Sequence, residues 1–362
     1  MNLSTLIEQF KTNGHFKTIA SNPLAQFGPR KRRYVGAELL PEKLVKQNAY
    51  REMQVRWRTV IANAGTRYSP AQKKGGDLIG TVLVELGHGD IAREMDAEQY
   101  DMLTELLETS DDMRATALLT NWLDTTVNLA LVEMLEAERW QAMINASVVR
   151  TGDNGFTETI SYPDPANHRV TPAAAWSTDT TDIFGDIQTQ AQVIKNKGYD
   201  VGRIITSSAV VAIMAGNDTV KTRVGVSVVN ASGQIVSAAG HATLEAINRT
   251  LQADGLPFIE VYDKRYATEE GTMPFIPAGS MLLVATTGRD IEVDTGDNEP
   301  MFLEDTIGYT AIGKAAGMGK PGRVIRAEAK ESKPPRIEAE GWYTGLPVLT
   351  EPEALAVIKG IG

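Results

Sequence analysis

The chain has 362 residues, a formal net charge of −10 and no cysteine. Without cysteine it can form no disulfide, carry no thiolate nucleophile and bind no zinc through sulfur. A hydrophobic fraction of 42% is enough for a packed core, whereas no apolar run approaches the ~20 residues of a membrane-spanning helix. The composition therefore predicts a folded protein without a membrane partner.

The first part of the chain is basic and rich in residues that interrupt regular structure. Residues 1–60 contain eleven basic and four acidic side chains, and the bases include the run Arg30, Lys31, Arg32 and Arg33. Proline and glycine recur in the same stretch, which disfavours a continuous helix or a central strand. We therefore predict an extended arm with a short helix near residues 4–10.

A long β-hairpin is predicted next. Two runs rich in β-branched residues, 55–68 and 78–86, flank a connector that contains proline, lysine and glycine. Trp57 lies in the alternating pattern of the first run, and Lys73 and Lys74 lie near the tip. A hairpin with few apolar partners of its own is marginally stable alone, so we expect this one to lie on another surface.

Residues 96–147 change to helical spacing of apolar side chains. The pattern predicts a short helix followed by a long one of about three dozen residues, with Ser110 as the N-cap between them. This segment contains eleven acids against Arg114 and Arg139. We therefore predict an acidic spine whose charge is opposite to that of the basic arm.

A compact α/β unit is predicted after residue 178. The predicted elements are helices over 182–196, 209–215 and 243–251, and strands over 201–206, 258–262 and 281–285. Strands that alternate with helices predict a small sheet flanked by helices. The sequence from about residue 289 is typical of strands, and residues 351–359 are predicted to form a short helix or a closing strand.

The sequence offers no recognisable site for catalysis, a cofactor or a metal. The four histidines, His15, His88, His168 and His241, are isolated from one another, and each is predicted on the surface or in a loop. Nucleophile-elbow motifs are absent. We therefore predict no catalytic, cofactor-binding or metal-binding residue, although a scattered enzyme site stays an alternative.

Several local motifs stand in the order found in one family. Segment 201–224 reads VGRIITSSAVVAIMAGNDTVKTRV, and segment 259–285 reads IEVYDKRYATEEGTMPFIPAGSMLLVA, with a Phe-Ile-Pro-Ala-Gly corner before a buried strand. Gly341-Trp342 and Gly345-Leu346-Pro347 follow near the end. From about residue 35 onward, the chain resembles the major capsid proteins of tailed bacteriophages, and more closely the phage lambda capsid protein E family.

The resemblance implies an α+β chain with the tailed-phage major capsid fold. It implies an N-terminal arm (1–50), an extended β-hairpin E-loop (51–95), a peripheral domain with a long spine helix (96–178 and 289–362) and an α/β axial domain (179–288). The arm and the E-loop would overlap neighbouring subunits through added strands and opposite charge. The expected inter-subunit contacts are Arg30, Lys31, Arg32, Arg33, Trp57, Lys73 and Lys74.

The implied function is that of a non-enzymatic major capsid protein, which self-assembles as hexamers and pentamers into an icosahedral head shell around double-stranded DNA. We expect it in the virion, after assembly in the bacterial host cytoplasm. The acidic excess predicts only weak, non-specific contact with the packaged DNA. A separate scaffolding protein is expected because no long region precedes the arm, and a portal and a decoration protein are expected too. An encapsulin-type bacterial compartment shell protein is the alternative, and a soluble α/β enzyme is less favoured.

Overall fold

The computed structural model describes residues 3–21, 34–56, 77–152, 157–225, 227–229, 235–237, 242–268, 271–288, 290–293, 301–330 and 335–362. The α-helices are α1 (Leu3–Thr12), α2 (His15–Ala20), α3 (Val35–Leu39), α4 (Ala97–Glu108), α5 (Asp112–Leu123), α6 (Leu129–Asn145), α7 (Ile183–Lys195), α8 (Ser208–Gly216), α9 (Asp218–Arg223) and α10 (Leu244–Ala253). Within this part of the chain, no helix combines the length and the apolar character needed to cross a bilayer.

The strands fall into two larger sheets and several two-stranded ones. They are β1 (Glu42–Leu44), β2 (Ala49–Arg56), β3 (Asp77–Glu85), β4 (Gly87–Glu94), β5 (Ser147–Thr151), β6 (Thr157–Ser161), β7 (Arg169–Val170), β8 (Asp200–Thr206), β9 (Ser227–Val229), β10 (Ile235–Ser237), β11 (Ile259–Val261), β12 (Arg265–Thr268), β13 (Gly271–Pro274), β14 (Met281–Thr286), β15 (Ile291–Val293), β16 (Met301–Leu303), β17 (Gly308–Ile312), β18 (Val324–Lys330), β19 (Arg336–Leu349) and β20 (Leu355–Ile358).

The first sheet is built around the long strand β19. Its order is β1-β17-β19-β18, and β4 also pairs with β19. Residues 338–345 of β19 pair with β4, and residues 345–349 pair with β17, so one strand holds different partners along its length. The sheet combines parallel and antiparallel pairs of strands that lie far apart in the chain, so its strand order cannot be predicted from local sequence patterns.

The predicted pair of helices is confirmed. α4 precedes a helical segment that runs from Asp112 to Asn145, with a π-helical turn at Asp124–Asn128 between α5 and α6. The predicted N-cap at Ser110 is wrong. Ser110 has φ 59°, in the left-handed region that ends α4, and the Asp111 side chain instead accepts the N-terminal hydrogen bond from the Arg114 amide.

The α/β unit has the predicted helices and strands around the second sheet. The order is β11-β8-β14-β20-β7, in which β11 and β8 are parallel and β14 is antiparallel to both of its neighbours. Of the two forms predicted for 351–359, the closing strand is confirmed, and the short 3-10 turn Pro352–Ala354 precedes it. The four side chains of β20 are fully buried. The region 289–362 therefore contributes its last strand to the sheet of the region 179–288.

The N-terminal segment differs from the predicted arm. The helix expected near 4–10 is confirmed as α1, but α1 and α2 pack against β18 of the same chain, so residues 3–21 are not extended. Leu6, Phe10 and Ile19 are buried in a cluster that also contains Leu119 and Ile325. Leu6 and Phe10 are four residues apart and lie on one face of α1, and burying that face against a sheet is more favourable than exposing it.

Candidate assembly interface

The predicted hairpin is formed by β2 and β3. The strands pair antiparallel from Ala49↔Glu85 to Arg56↔Asp77, with a register shift between Gln54 and Val55. The sequence pattern placed the start of the first strand at residue 55, whereas in the structure this strand starts at Ala49. Among the described residues neither strand pairs with a third strand. Each strand therefore presents an edge of backbone N–H and C=O groups that another chain could extend.

The base of the hairpin is fastened to the first sheet. Asn48 Nδ2 donates to the Lys314 carbonyl at 2.9 Å, and the Lys314 amide donates back to Asn48 Oδ1 at 2.8 Å. Val84 is buried beside Tyr309 and Leu346. The hairpin is consequently fixed in direction where it leaves the globular part. Asn48 was not found from the sequence, because no local motif distinguishes an asparagine that bonds to a loop 266 residues away.

The seven residues predicted as inter-subunit contacts, Arg30, Lys31, Arg32, Arg33, Trp57, Lys73 and Lys74, lie outside the described residues. Their role as inter-subunit contacts stays a prediction.

Not every acid of the predicted acidic spine lies at the surface. Glu136 in α6 is fully buried. Its Oε1 accepts hydrogen bonds from the Gly36 amide at 2.8 Å, from Trp140 Nε1 at 2.8 Å and from the Tyr262 hydroxyl at 3.2 Å. Burial, the charge of Glu136 and this hydrogen bond all raise the pKa of Tyr262, so the phenol stays a donor. One carboxylate thus joins the helix, the segment after residue 33 and the end of β11.

Arg139 extends this contact toward the first sheet. It is fully buried, and its Nη1 lies 3.4 Å from Glu136 while its Nε donates to Thr310 Oγ1 at 2.8 Å. Its Nη2 lies 3.5 Å from Glu42, which also pairs with Arg323 at 2.6 Å. The buried charges therefore alternate in sign across the interface between helix and sheet, which lowers the cost of burying each of them.

Glu138 and Arg150 form a second buried pair. Arg150 donates from Nε and Nη2 to the two carboxylate oxygens at 2.7 and 2.8 Å, and Nη2 also donates to the Gly345 carbonyl. Burial raises the pKa of Glu138, and the hydrogen bonds and charge of Arg150 act against that rise. A Cβ at Gly87 would overlap the Arg150 guanidinium, so only glycine lets this pair cross strand β4.

Helix α4 and the turn after it have the opposite character. Residues 96–112 contain seven acids and no base. Their side chains are exposed, apart from the half-buried Asp111. Met102 and Met113 are exposed in the same region, at 54% and 84%. The acidic surface predicted from the sequence therefore exists here, whereas Glu136 and Glu138 serve the interior.

No cluster of histidine or acidic side chains among the described residues could hold a metal ion. An open groove of about 450 Å³ lies beside α10, lined by Leu244, Glu245, Asn248, Arg249, Gln252 and Phe258. Only Glu245 and Arg249 among these are charged, and they pair with each other.

Comparison with known families gives one match. A model of the phage major capsid protein E family matches residues 54–359, which is most of the chain. No curated protein matches the sequence.

Solved structures of similar fold were also found. One is a protein described as a prophage capsid protein of E. coli CFT073, with 13% identity, coverage of 96% of this chain and 98% of that chain, and a TM-score of 0.57. A phage-related protein from Bordetella bronchiseptica RB50 has 14% identity, coverage of 96% and 97%, and a TM-score of 0.49. The satellite phage P4 procapsid including the size determination protein has 9% identity, coverage of 96% and 98%, and a TM-score of 0.46. Of these three, the E. coli structure alone exceeds 0.5, and at this identity it supports the fold and nothing more.

Proposed function

The chain belongs to the phage major capsid protein E family and is a capsid shell protein, and we propose that it assembles as hexamers and pentamers into an icosahedral head shell around double-stranded DNA. Membership in this family implies a structural role and a place in the virion, and we propose that the chain performs no catalysis. The family match over residues 54–359 is the observation that carries the proposal. Assembly would take place in the cytoplasm of the bacterial host.

Within the shell, each region would have a separate task. We assign residues 51–95 to the E-loop, 96–178 and 289–362 to the peripheral domain, and 179–288 to the axial domain. Among the strands that the structure describes, β2 and β3 each have an unpaired edge, which supports the first assignment because a strand added by a neighbouring subunit would extend the ladder. Fastening at Asn48 supports it too, since a hairpin with a fixed base can reach a neighbour in one direction only.

The charges support contact between copies of the chain. The run Arg30–Arg33 is basic, and residues 96–112 are acidic and exposed, so the two would attract each other between neighbouring subunits. The same acidic excess would keep contact with packaged DNA weak and non-specific. We further propose a separate scaffolding protein, a portal and a decoration protein as partners.

Charge reversal tests the proposal. We expect the wild-type chain, produced together with the other head proteins of its phage, to form closed shells visible by electron microscopy. A variant with Arg30, Lys31, Arg32 and Arg33 changed to glutamate should keep the wild-type circular dichroism spectrum and sediment as unassembled subunits. Normal shells from this variant would refute the role of the run.

A matched control separates a local effect from the change in net charge. It reverses four exposed bases elsewhere, Arg93, Lys195, Arg265 and Lys320. Shells from the control and none from the first variant would support a specific contact. Loss of shells in both variants would mean that the change in net charge causes the defect, and it would refute the specific contact.

A further inference from the structure

His168 lies in the loop just before β7, which agrees with the predicted surface or loop position, but among the histidines that the structure describes it is the one that is fully buried. His168 Nδ1 lies 2.5 Å from the Leu355 carbonyl oxygen. Because a carbonyl can only accept, Nδ1 is the donor, and in a neutral ring Nε2 then carries no proton. Nε2 is buried without a hydrogen-bond partner among the described residues.

The position of this ring links it to the closing strand. The His168 carbonyl accepts from the Val357 amide at 2.7 Å, and the Val170 carbonyl accepts from the Lys359 amide at 2.8 Å. The side chain and the backbone of His168 thus both bind β20, on the side opposite β14. Since the side chains of β20 are fully buried, any disturbance of the ring is transmitted to a core strand.

The charges around the ring oppose a proton on Nε2. Lys197, which follows α7, and the neighbouring Arg169 are positive, while Glu353 in the 3-10 turn before β20 is negative. Glu353 already pairs with Lys197 at 2.6 Å, and Arg169 pairs with Asp164 at 2.6 Å. A protonated ring would therefore add a cation to a buried place where the negative groups are occupied.

We propose that His168 makes the pairing of β20 with β7 sensitive to acid, so that protonation of the ring releases this edge of the second sheet. Burial, and then the charges of Lys197 and Arg169, lower the pKa of His168 in the folded chain, against the rise caused by the Leu355 hydrogen bond and Glu353. The unfolded or locally opened form binds the proton more readily, so stability is full above the ordinary pKa of histidine and is lost as the pH falls through it toward the folded value. The inference concerns the folded subunit and stands whether or not the proposed shell contacts are right.

Hydrogen exchange of the full-length protein tests it. We expect the protection of the amides of Val357 and Lys359, corrected for intrinsic exchange, to fall several-fold between about pH 7.5 and about pH 5.5, the range in which histidine titrates. Amides of β8 that face β14 should change much less. His168→Asn keeps an N–H donor for Leu355 and cannot be protonated, so its protection should stay level across this range. His88→Asn, at an exposed position, should behave as the wild type.

Two outcomes would overturn the proposal. One is constant protection of β20 in the wild type over this range, and the other is an equal fall in His168→Asn. If His168→Asn fails to fold, the ring signals of His168 in the wild type decide by NMR. The proposal requires them to titrate below the ordinary range of histidine and together with the loss of protection, and an ordinary titration uncoupled from exchange would refute it.

Discussion

The two ends of the helical region 96–145, which consists of α4 and the long helical segment after it, use their carboxylates in opposite ways. Residues 96–112 present seven acids at the surface, with no base among them. In α6, Glu136 and Glu138 are buried, and each is bound by groups from other elements. The residue type and the helical spacing are the same in both places. What differs is the element that packs opposite, so the first end is available to a partner and the second holds the subunit together.

The largest effect is expected from breaking the pair at the buried end. Arg150→Met leaves Glu138 buried without its two hydrogen bonds, and removing one partner of a buried ion pair costs about 3–5 kcal/mol. Chemical denaturation should show this fall in the free energy of unfolding. An exposed pair provides the control, because Arg249→Met beside Glu245 should have almost no effect.

The double variant Glu138→Leu with Arg150→Met sharpens this result. It removes both charges, so it should be more stable than Arg150→Met alone. A single variant as stable as the wild type would show that the buried end does not depend on this pair.

A smaller loss is expected at Glu136. Glu136→Gln keeps the size of the side chain but removes the charge that accepts from Gly36, Trp140 and Tyr262. Hydrogen bonds to a charged group contribute about 1.5–3 kcal/mol, so unfolding should become easier by roughly that amount. The emission of Trp140 should shift as well. Glu133→Gln, which removes the charge from the group that accepts from the Tyr34 hydroxyl, should cost less because that contact is only partly buried.

The π-helical turn between the two ends gives the third prediction. A Cβ at Gly341 in β19 would overlap Val127 in this turn, so Gly341→Ala should force the helix from the sheet. Overpacking of this kind costs about 1–3 kcal/mol. Gly319→Ala is the control, because its Cβ would meet no atom within 4 Å. Equal stabilities of the two variants in thermal unfolding would mean that the turn tolerates displacement.

The sequence predicted local structure well, and it predicted contacts between distant residues poorly. α4, the helix from 112 to 145 and the elements around the second sheet follow from apolar spacing, which is a local property. The hydrogen bonding of the buried Glu136 depends on Gly36 and Tyr262, which lie 100 and 126 residues away, and no local sequence pattern contains that information. Glycine at 87 is required only because Arg150 crosses the strand there, so its role is visible only after folding. The folding back of α1 onto β18 was missed for the same reason, since proline and glycine elsewhere in the arm dominated the prediction.

The smallest effect is expected at the exposed end. Glu105→Lys places a base in the last turn of α4, which has none, and four residues after Asp101. Both the helix dipole and the i,i+4 pair favour it, so the free energy of unfolding should rise by about 0.5 kcal/mol at low salt. The gain should shrink as salt screens it, which thermal unfolding at two ionic strengths measures. A fall in stability would show that the acids here are needed within the subunit.

The same variant tests the contrast between the two ends at the level of the shell. If the exposed acids attract the basic run of a neighbouring copy, Glu105→Lys should stabilise the subunit and yet slow assembly, and light scattering at low salt should show the delay. Arg150→Met should lower the stability but leave the assembly rate of the folded subunits unchanged, since these subunits would still present the full acidic surface. Such independent changes in stability and assembly rate would support the conclusion that the two ends serve different partners, whereas a parallel loss of both in Glu105→Lys would contradict it.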